Sequence, residues 1–286
     1  MSGAALAERA VGIYEKALPP LGWPELLSTA QTAGFDFVEL SIDESKQRLA
    51  RLLSPGATAA ALRQAISATG MPIYSICLSA HRRYGLGSAD PAIRAEGARI
   101  LEQTIILAAA VGVRVIQIAG YFAYYEQLGG QARRRYTDGL RRGLRLAAEH
   151  GVMLGVENID TADVATADDA VALVRELASP WFRVYPDVGN FAVHRLDVVD
   201  NLTRVAPLAV GLHLKDARAG EPRRVPFGRG EVPFDAVFAR LTRLPYDGPF
   251  TVEMWNDDPT TAVTNATAAL DWLRTRMRHA GDEDAG

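Results

Sequence analysis

Four side chains able to bind a divalent cation stand at the ends of four consecutive apolar runs in the C-terminal half of the chain. Val152-Met153-Leu154-Gly155-Val156 leads into Glu157, and Phe182-Arg183-Val184-Tyr185-Pro186 into Asp187. Val210-Gly211-Leu212 leads into His213, and Phe250-Thr251-Val252 into Glu253. A carboxylate at the end of a buried strand is costly unless it is paired or metal-bound. Three carboxylates converging with an imidazole would repel one another without a cation. One divalent ion resolves the conflict, and an oxygen-rich set with one histidine suits Mn²⁺, Co²⁺, Zn²⁺ or Mg²⁺. A salt-bridge network with nearby Arg and Lys would account for any one of the four taken singly. For all four on adjacent strands, a metal centre is the better account.

These residues meet only if their strands are parallel and end on one face. The whole chain supports that arrangement, because short Val- and Ile-rich runs alternate with longer segments of helical period, the pattern of βα units. Eight units are legible, with strands at residues 11–14, 37–41, 73–79, 113–119, 153–157, 182–187, 209–214 and 250–254. Helices are expected at 23–33, 57–68, 91–110, 131–150, 167–177, 197–204, 234–244 and 260–278. Gly34, Gly70, Gly112 and Gly151 mark helix stops ahead of the next strand. The expected fold is α/β, a (β/α)₈ TIM barrel in which residues 1–286 form a single domain and 281–286 a disordered polar tail. In such a barrel the active site gathers at the C-terminal ends of the strands.

Composition narrows the function classes. A net charge of −3 supplies no basic field, so nucleic acid is not an expected partner. No apolar run reaches the roughly 20 residues of a membrane span, and the first residues lack the pattern of a secretory signal. The single cysteine, Cys77, excludes an internal disulfide, suits a reducing cytoplasm, and in its apolar run reads as a buried structural thiol. Homo-oligomerisation stays open.

The chain resembles the L-ribulose-5-phosphate 3-epimerase (L-xylulose-5-phosphate 3-epimerase) family of xylose-isomerase-like barrels along nearly its whole length. The strings that carry the resemblance are Gly12-Ile13-Tyr14-Glu15-Lys16-Ala17-Leu18-Pro19, Gly34-Phe35-Asp36-Phe37-Val38-Glu39-Leu40-Ser41-Ile42-Asp43-Glu44-Ser45 and Ser75-Ile76-Cys77-Leu78-Ser79-Ala80-His81-Arg82-Arg83. To these are added Val115-Ile116-Gln117-Ile118-Ala119-Gly120-Tyr121, Tyr185-Pro186-Asp187-Val188-Gly189-Asn190, His213-Leu214-Lys215-Asp216 and Val225-Pro226-Phe227-Gly228. The resemblance implies that Glu157, Asp187, His213 and Glu253 are the metal ligands, in agreement with the strand ends. It also implies that Glu157 and Glu253 are the catalytic acid–base pair. Inverting a carbon beside a carbonyl removes a proton from one face and delivers one to the other, which two opposed carboxylates can do, while a metal stabilises the enediolate between the transfers. Where the family usually has Gly-Glu-Gly after the phenylalanine, this chain has Gly228-Arg229-Gly230.

A sugar-phosphate substrate needs cations or backbone N–H donors at the far end of the pocket. The strand 7 loop offers Lys215, Arg218, Arg223, Arg224 and the Gly228-Arg229-Gly230 turn, and the ends of strands 1 and 3 offer Lys16 and His81-Arg82-Arg83, with His81 also read as a substrate hydroxyl contact and Trp255 as a pocket wall at the end of strand 8. The expected activity is metal-dependent 3-epimerisation of a ketopentose phosphate. The alternative is an epimerase or aldose–ketose isomerase of a free sugar on the same barrel. A multi-zinc DNA-repair endonuclease would need more than the five histidines present. A non-catalytic sugar-binding barrel would have no need of two glutamates opposed across a metal.

Overall fold

The chain alternates strand and helix from end to end, and in the computed structural model, which describes residues 6–127 and 129–284, this becomes a closed barrel. The strands are β1 Val11–Tyr14, β2 Phe37–Ile42, β3 Ile73–Leu78, β4 Val115–Ala119, β5 Met153–Glu157, β6 Phe182–Val184, β7 Leu212–Leu214 and β8 Phe250–Val252. All pair in parallel in the order β6-β5-β4-β3-β2-β1-β8-β7. The parallel bridges Val184↔Ala209 and Asp187↔His213 join β6 to β7 and close the ring. Among the described residues ten α-helices accompany it: α1 Trp23–Thr32, α2 Lys46–Leu49, α3 Pro55–Thr69, α4 Pro91–Val111, α5 Ala132–His150, α6 Ala167–Leu177, α7 Val188–Val193, α8 Val198–Val205, α9 Phe234–Leu241 and α10 Ala262–Asp284. None among the described residues is long and apolar enough to cross a membrane.

The strands are buried on both faces, as expected of a parallel sheet covered by helices. The four expected helix stops all have positive φ (90°, 73°, 97° and 64° at Gly34, Gly70, Gly112 and Gly151), a conformation that costs glycine nothing. The structure departs from the sequence reading in three places. Strands β6, β7 and β8 are three residues each, so Asp187 and Glu253 lie just past the regular ladder. The loop helices α2 and α7, of four and six residues, were too short for helical period to reveal. Finally, α10 runs to Asp284, so the first four residues of the expected disordered tail continue the helix, while 285–286 lie outside the described residues.

Inside the barrel lies a polar layer in place of a purely aliphatic one. Fully buried Tyr185 shares a hydrogen bond with Thr251 Oγ1 (2.9 Å) and lies with its hydroxyl 3.5 Å from Ser75 Oγ. Its ring meets that of His213 edge-on at 4.8 Å. Space for it comes from Gly211, where an added Cβ would stand 2.5 Å from the tyrosine ring.

Candidate metal centre and active-site cleft

Glu157 closes β5, Asp187 follows β6, His213 is the middle residue of β7, and Glu253 follows β8. Each offers one donor atom, and the four atoms lie within 4.8 Å of one another in a buried cluster. Asp187 has two tasks. Its Oδ1 accepts from the Asn190 backbone N–H (2.9 Å) and so caps α7, which leaves Oδ2 facing the cluster. His213 Nδ1 is 2.7 Å from Glu157 Oε1 and 4.0 Å from Asp187 Oδ2. The other oxygen of Glu157 accepts from Gln117 Nε2 at 2.5 Å.

The donors fit a cation. Asp187 Oδ2 and Glu253 Oε2 are buried and accept no well-oriented hydrogen bond. The Lys215 ammonium makes only ionic contacts with them, at 2.8 and 3.0 Å. Burial, reinforced by the Glu253 charge, pushes Glu157 up. Burial also pushes Asp187 up to about 8 against the pull of Lys215. At Glu253 the cations Lys215 and His213 outweigh burial and hold the carboxyl at about 2. Burial alone would lower His213, but Glu39, Glu253 and Glu157 raise it well above its ordinary value. Such opposed shifts in one cleft are typical of functional carboxylates.

Glu157 and Glu253 of the cluster line a cavity of about 370 Å³, walled by Tyr14, Lys16, Arg82, Tyr121, Arg223 and Trp255 among others. A neighbouring cavity of about 530 Å³ runs toward α10 and shares Lys215, Arg224, Glu253 and Trp255 with the first, so Trp255 stands between the two. Cys77 also faces the cleft, but burial pushes its thiol well above the usual range, in keeping with a structural role.

The remaining expected contacts divide. Lys16 lines the cleft and pairs with Asp43 at 2.5 Å, and Trp255 forms a wall whose ring meets Tyr14 edge-on at 6.0 Å. Lys215 is not on a rim. It is buried against the cluster, and its ammonium also donates to Asn190 Oδ1 at 2.9 Å. His81 is not in the cleft. A single 3₁₀ turn, Ala80–Arg82, carries it outward, where it is fully buried with Nε2 3.1 Å from the Gly97 carbonyl of α4. Arg229 is exposed and outside the lining of either cavity, because Asp216 Oδ2 accepts from the backbone of Gly228 (2.8 Å) and Gly230 (2.9 Å) and pins the turn with the arginine outward.

Sequence reasoning missed Glu39 and Gln117, and offered Arg82 only as part of the cationic strand 3 end His81-Arg82-Arg83. Arg82 lines the cleft where His81 was expected, with its guanidinium donating to the Tyr121 hydroxyl (2.9 Å) and lying over the rings of Tyr121 and Tyr124. Glu39 and Gln117 lie wholly buried inside the barrel beneath the cluster. Their one signal was a strongly polar side chain inside an otherwise apolar strand.

Comparison with known proteins agrees with this geometry. The xylose isomerase-like TIM barrel family matches residues 27–276. L-ribulose-5-phosphate 3-epimerase UlaE of Escherichia coli O157:H7 is 42% identical over 276 residues, covering 96% of this chain and 97% of the relative. The chain belongs to the L-ribulose-5-phosphate 3-epimerase family. Another member of that family, UlaE of Shigella flexneri, is 41% identical over the same coverage. Among solved structures, an L-ribulose 3-epimerase superposes with a TM-score of 0.80 at 20% identity, covering 97% of each chain. The 3-keto-D-glucoside 4-epimerase YcjR of E. coli gives 0.77 at 21%, covering 94% of this chain and all of that one. At such identities these structures attest the barrel that the epimerase family shares, and the 41–42% relatives attest the family itself.

Proposed function

We propose that the protein is a metal-dependent 3-epimerase that interconverts L-ribulose 5-phosphate and L-xylulose 5-phosphate. The observation that carries this reading is the buried convergence of Glu157, Asp187, His213 and Glu253, with Glu157 and Glu253 opening into a polar cleft, in a chain 42% identical to an L-ribulose-5-phosphate 3-epimerase. These four residues would hold one divalent ion, which when bound lowers the energy of negative charge developing on the substrate oxygens at C2 and C3. Glu157 and Glu253 stand three strands apart around the ring. One takes the C3 proton and the other returns a proton to the opposite face, and their roles exchange when the reaction runs backward. Gln117 holds Glu157 in place, and Lys215 keeps Glu253 ionised. The ring faces of Tyr14 and Trp255 and the buried floor limit water at the reacting carbon.

For the phosphate, the geometry favours Arg82, from the strand 3 end, over the other cations offered by the sequence. Lys16, Arg48, Arg223 and Arg224 each pair with a carboxylate. Among the described cleft residues Arg82 is a cation with no carboxylate at ion-pair distance, and its buried Nε has no acceptor. A 5-phosphate on the Arg82 side would extend the sugar from the cluster toward Tyr121 and Arg223. We place the protein in the cytoplasm, where a phosphorylated pentulose and a single buried thiol are both at home. Metal-loaded protein should convert L-xylulose 5-phosphate to L-ribulose 5-phosphate and turn over the free ketose far more slowly. Equal specificity constants for the two would favour the free-sugar alternative.

A further inference from the structure

Glu39 is a carboxylate with no exposed surface, on β2, three strands away from β7 around the ring. A buried carboxylate is costly without charged or hydrogen-bonded partners. Ser75, its register partner on β3, donates its hydroxyl to Oε2 at 2.6 Å. His213 Nε2 donates to Oε1 at 2.7 Å, and among the described residues this is the one ion pair that Glu39 makes. Barrel packing does not require a charge here, since an apolar side chain of similar volume would fill the space at no desolvation cost. The charge is explained by what it grips, namely the imidazole nitrogen that faces away from Glu157, Asp187 and Glu253.

We infer that Glu39 is a positioning residue for the metal centre: it fixes the proton on His213 Nε2 and the plane of the ring, so that Nδ1 is the nitrogen presented to the ion. Nδ1 already faces the cluster, 2.7 Å from Glu157 Oε1. Tyr185 braces the ring edge-on, and its hydroxyl is tied to Thr251 and stands near Ser75. The ring is thus held on three sides by buried groups, and a half-turn of the imidazole would put carbon where both carboxylates need nitrogen. Metal-bound histidines commonly donate their second N–H to a carboxylate, and loss of such a partner typically costs about 10–100-fold in metal affinity. The inference rests on the metal-centre reading, so its test measures ion binding rather than turnover.

The dissociation constant for Zn²⁺ is measured by chelator competition for the full-length wild type, Glu39→Ala and Glu39→Gln, with circular dichroism as the fold control. Long-range ¹H–¹⁵N spectra of the Zn²⁺-loaded proteins report the His213 Nε2 proton. Glu39→Ala should weaken binding by about 10–100-fold. Glu39→Gln keeps an acceptor but loses the charge, so it should weaken binding less and move the Nε2 proton upfield. If the alanine variant does not fold, the isosteric glutamine variant decides. Folded variants that bind within twofold of wild type, with an unmoved Nε2 resonance, would overturn the inference. A wild type that binds no Zn²⁺ would instead overturn the metal-centre reading, and this inference with it.

Discussion

Replacing Glu157 by glutamine isolates proton transfer from packing better than any other change in the cleft. One oxygen of the carboxylate stands 2.7 Å from His213 Nδ1, and the other accepts from Gln117 Nε2 at 2.5 Å. Glutamine has the same shape, but its amide nitrogen must then face a donor. The neighbourhood can absorb this, because Gln117 Oε1 is buried without a partner and an amide flip at Gln117 presents it to the new NH₂. Stability should therefore change by no more than about 1 kcal/mol, the net worth of one hydrogen bond. The chemistry has no such remedy. A positioned general base contributes about 10²–10⁴-fold, and the variant also loses a ligand charge. Turnover should fall by about a thousandfold or more, roughly 4 kcal/mol of barrier. The assay is ¹H NMR of the C3 proton of L-ribulose 5-phosphate in D₂O, with the metal content of the variant measured in parallel. Metal should remain bound, with reduced affinity. Turnover within tenfold of wild type in a metal-loaded variant would refute the assignment of Glu157 to the acid–base pair.

Other outcomes follow from the same geometry. EDTA should abolish activity and Mn²⁺, Co²⁺ or Zn²⁺ restore it; full activity in verified metal-free protein would contradict the metal centre. Arg82→Met should raise KM for the phosphorylated ketose by at least about tenfold, the equivalent of ~1.4 kcal/mol, with little effect on the free sugar, whereas Arg229→Ala should leave both unchanged. Gly211→Ala forces a methyl to within 2.5 Å of the pinned Tyr185 ring and should cost about 1–3 kcal/mol in urea unfolding. Burial holds His81 neutral down to about 4, below its ordinary 6.5. The unfolded chain therefore binds the extra proton first, and this contribution to stability, present above pH 6.5, is lost as pH falls toward 4. Its size is about 3 kcal/mol, and a His81→Gln variant should show a flatter pH dependence over that interval.

The fold and the convergence of Glu157, Asp187, His213 and Glu253 were legible because each rests on a repeating or convergent signal. Eight alternations of β and helical period leave few topologies, and four ligand-type residues at successive strand ends have few reasons to coincide. The rest depended on directions that spacing does not encode. At the end of β3 one 3₁₀ turn decides whether His81 or Arg82 enters the cleft, and adjacent residues in such a turn point different ways. Lys215 lies two residues beyond His213 on the same face and so joins the cluster floor rather than the rim. Arg229 is turned outward by hydrogen bonds from Gly228 and Gly230 to Asp216, a partner more than ten residues earlier in the chain. Glu39 and Gln117 sit in strands buried on both faces, where alternation cannot distinguish the barrel interior from the helix layer.

On the proposed reading, a metal held by four strand-end residues lets two glutamates invert C3 of a pentulose phosphate. Conversion of L-xylulose 5-phosphate in D₂O by the metal-loaded protein, followed by NMR of the product, tests it most directly. The expected product is L-ribulose 5-phosphate carrying one deuterium at C3 and none at C1 or C4. An aldose product, deuterium at C1, or no conversion by protein that holds its metal would contradict it.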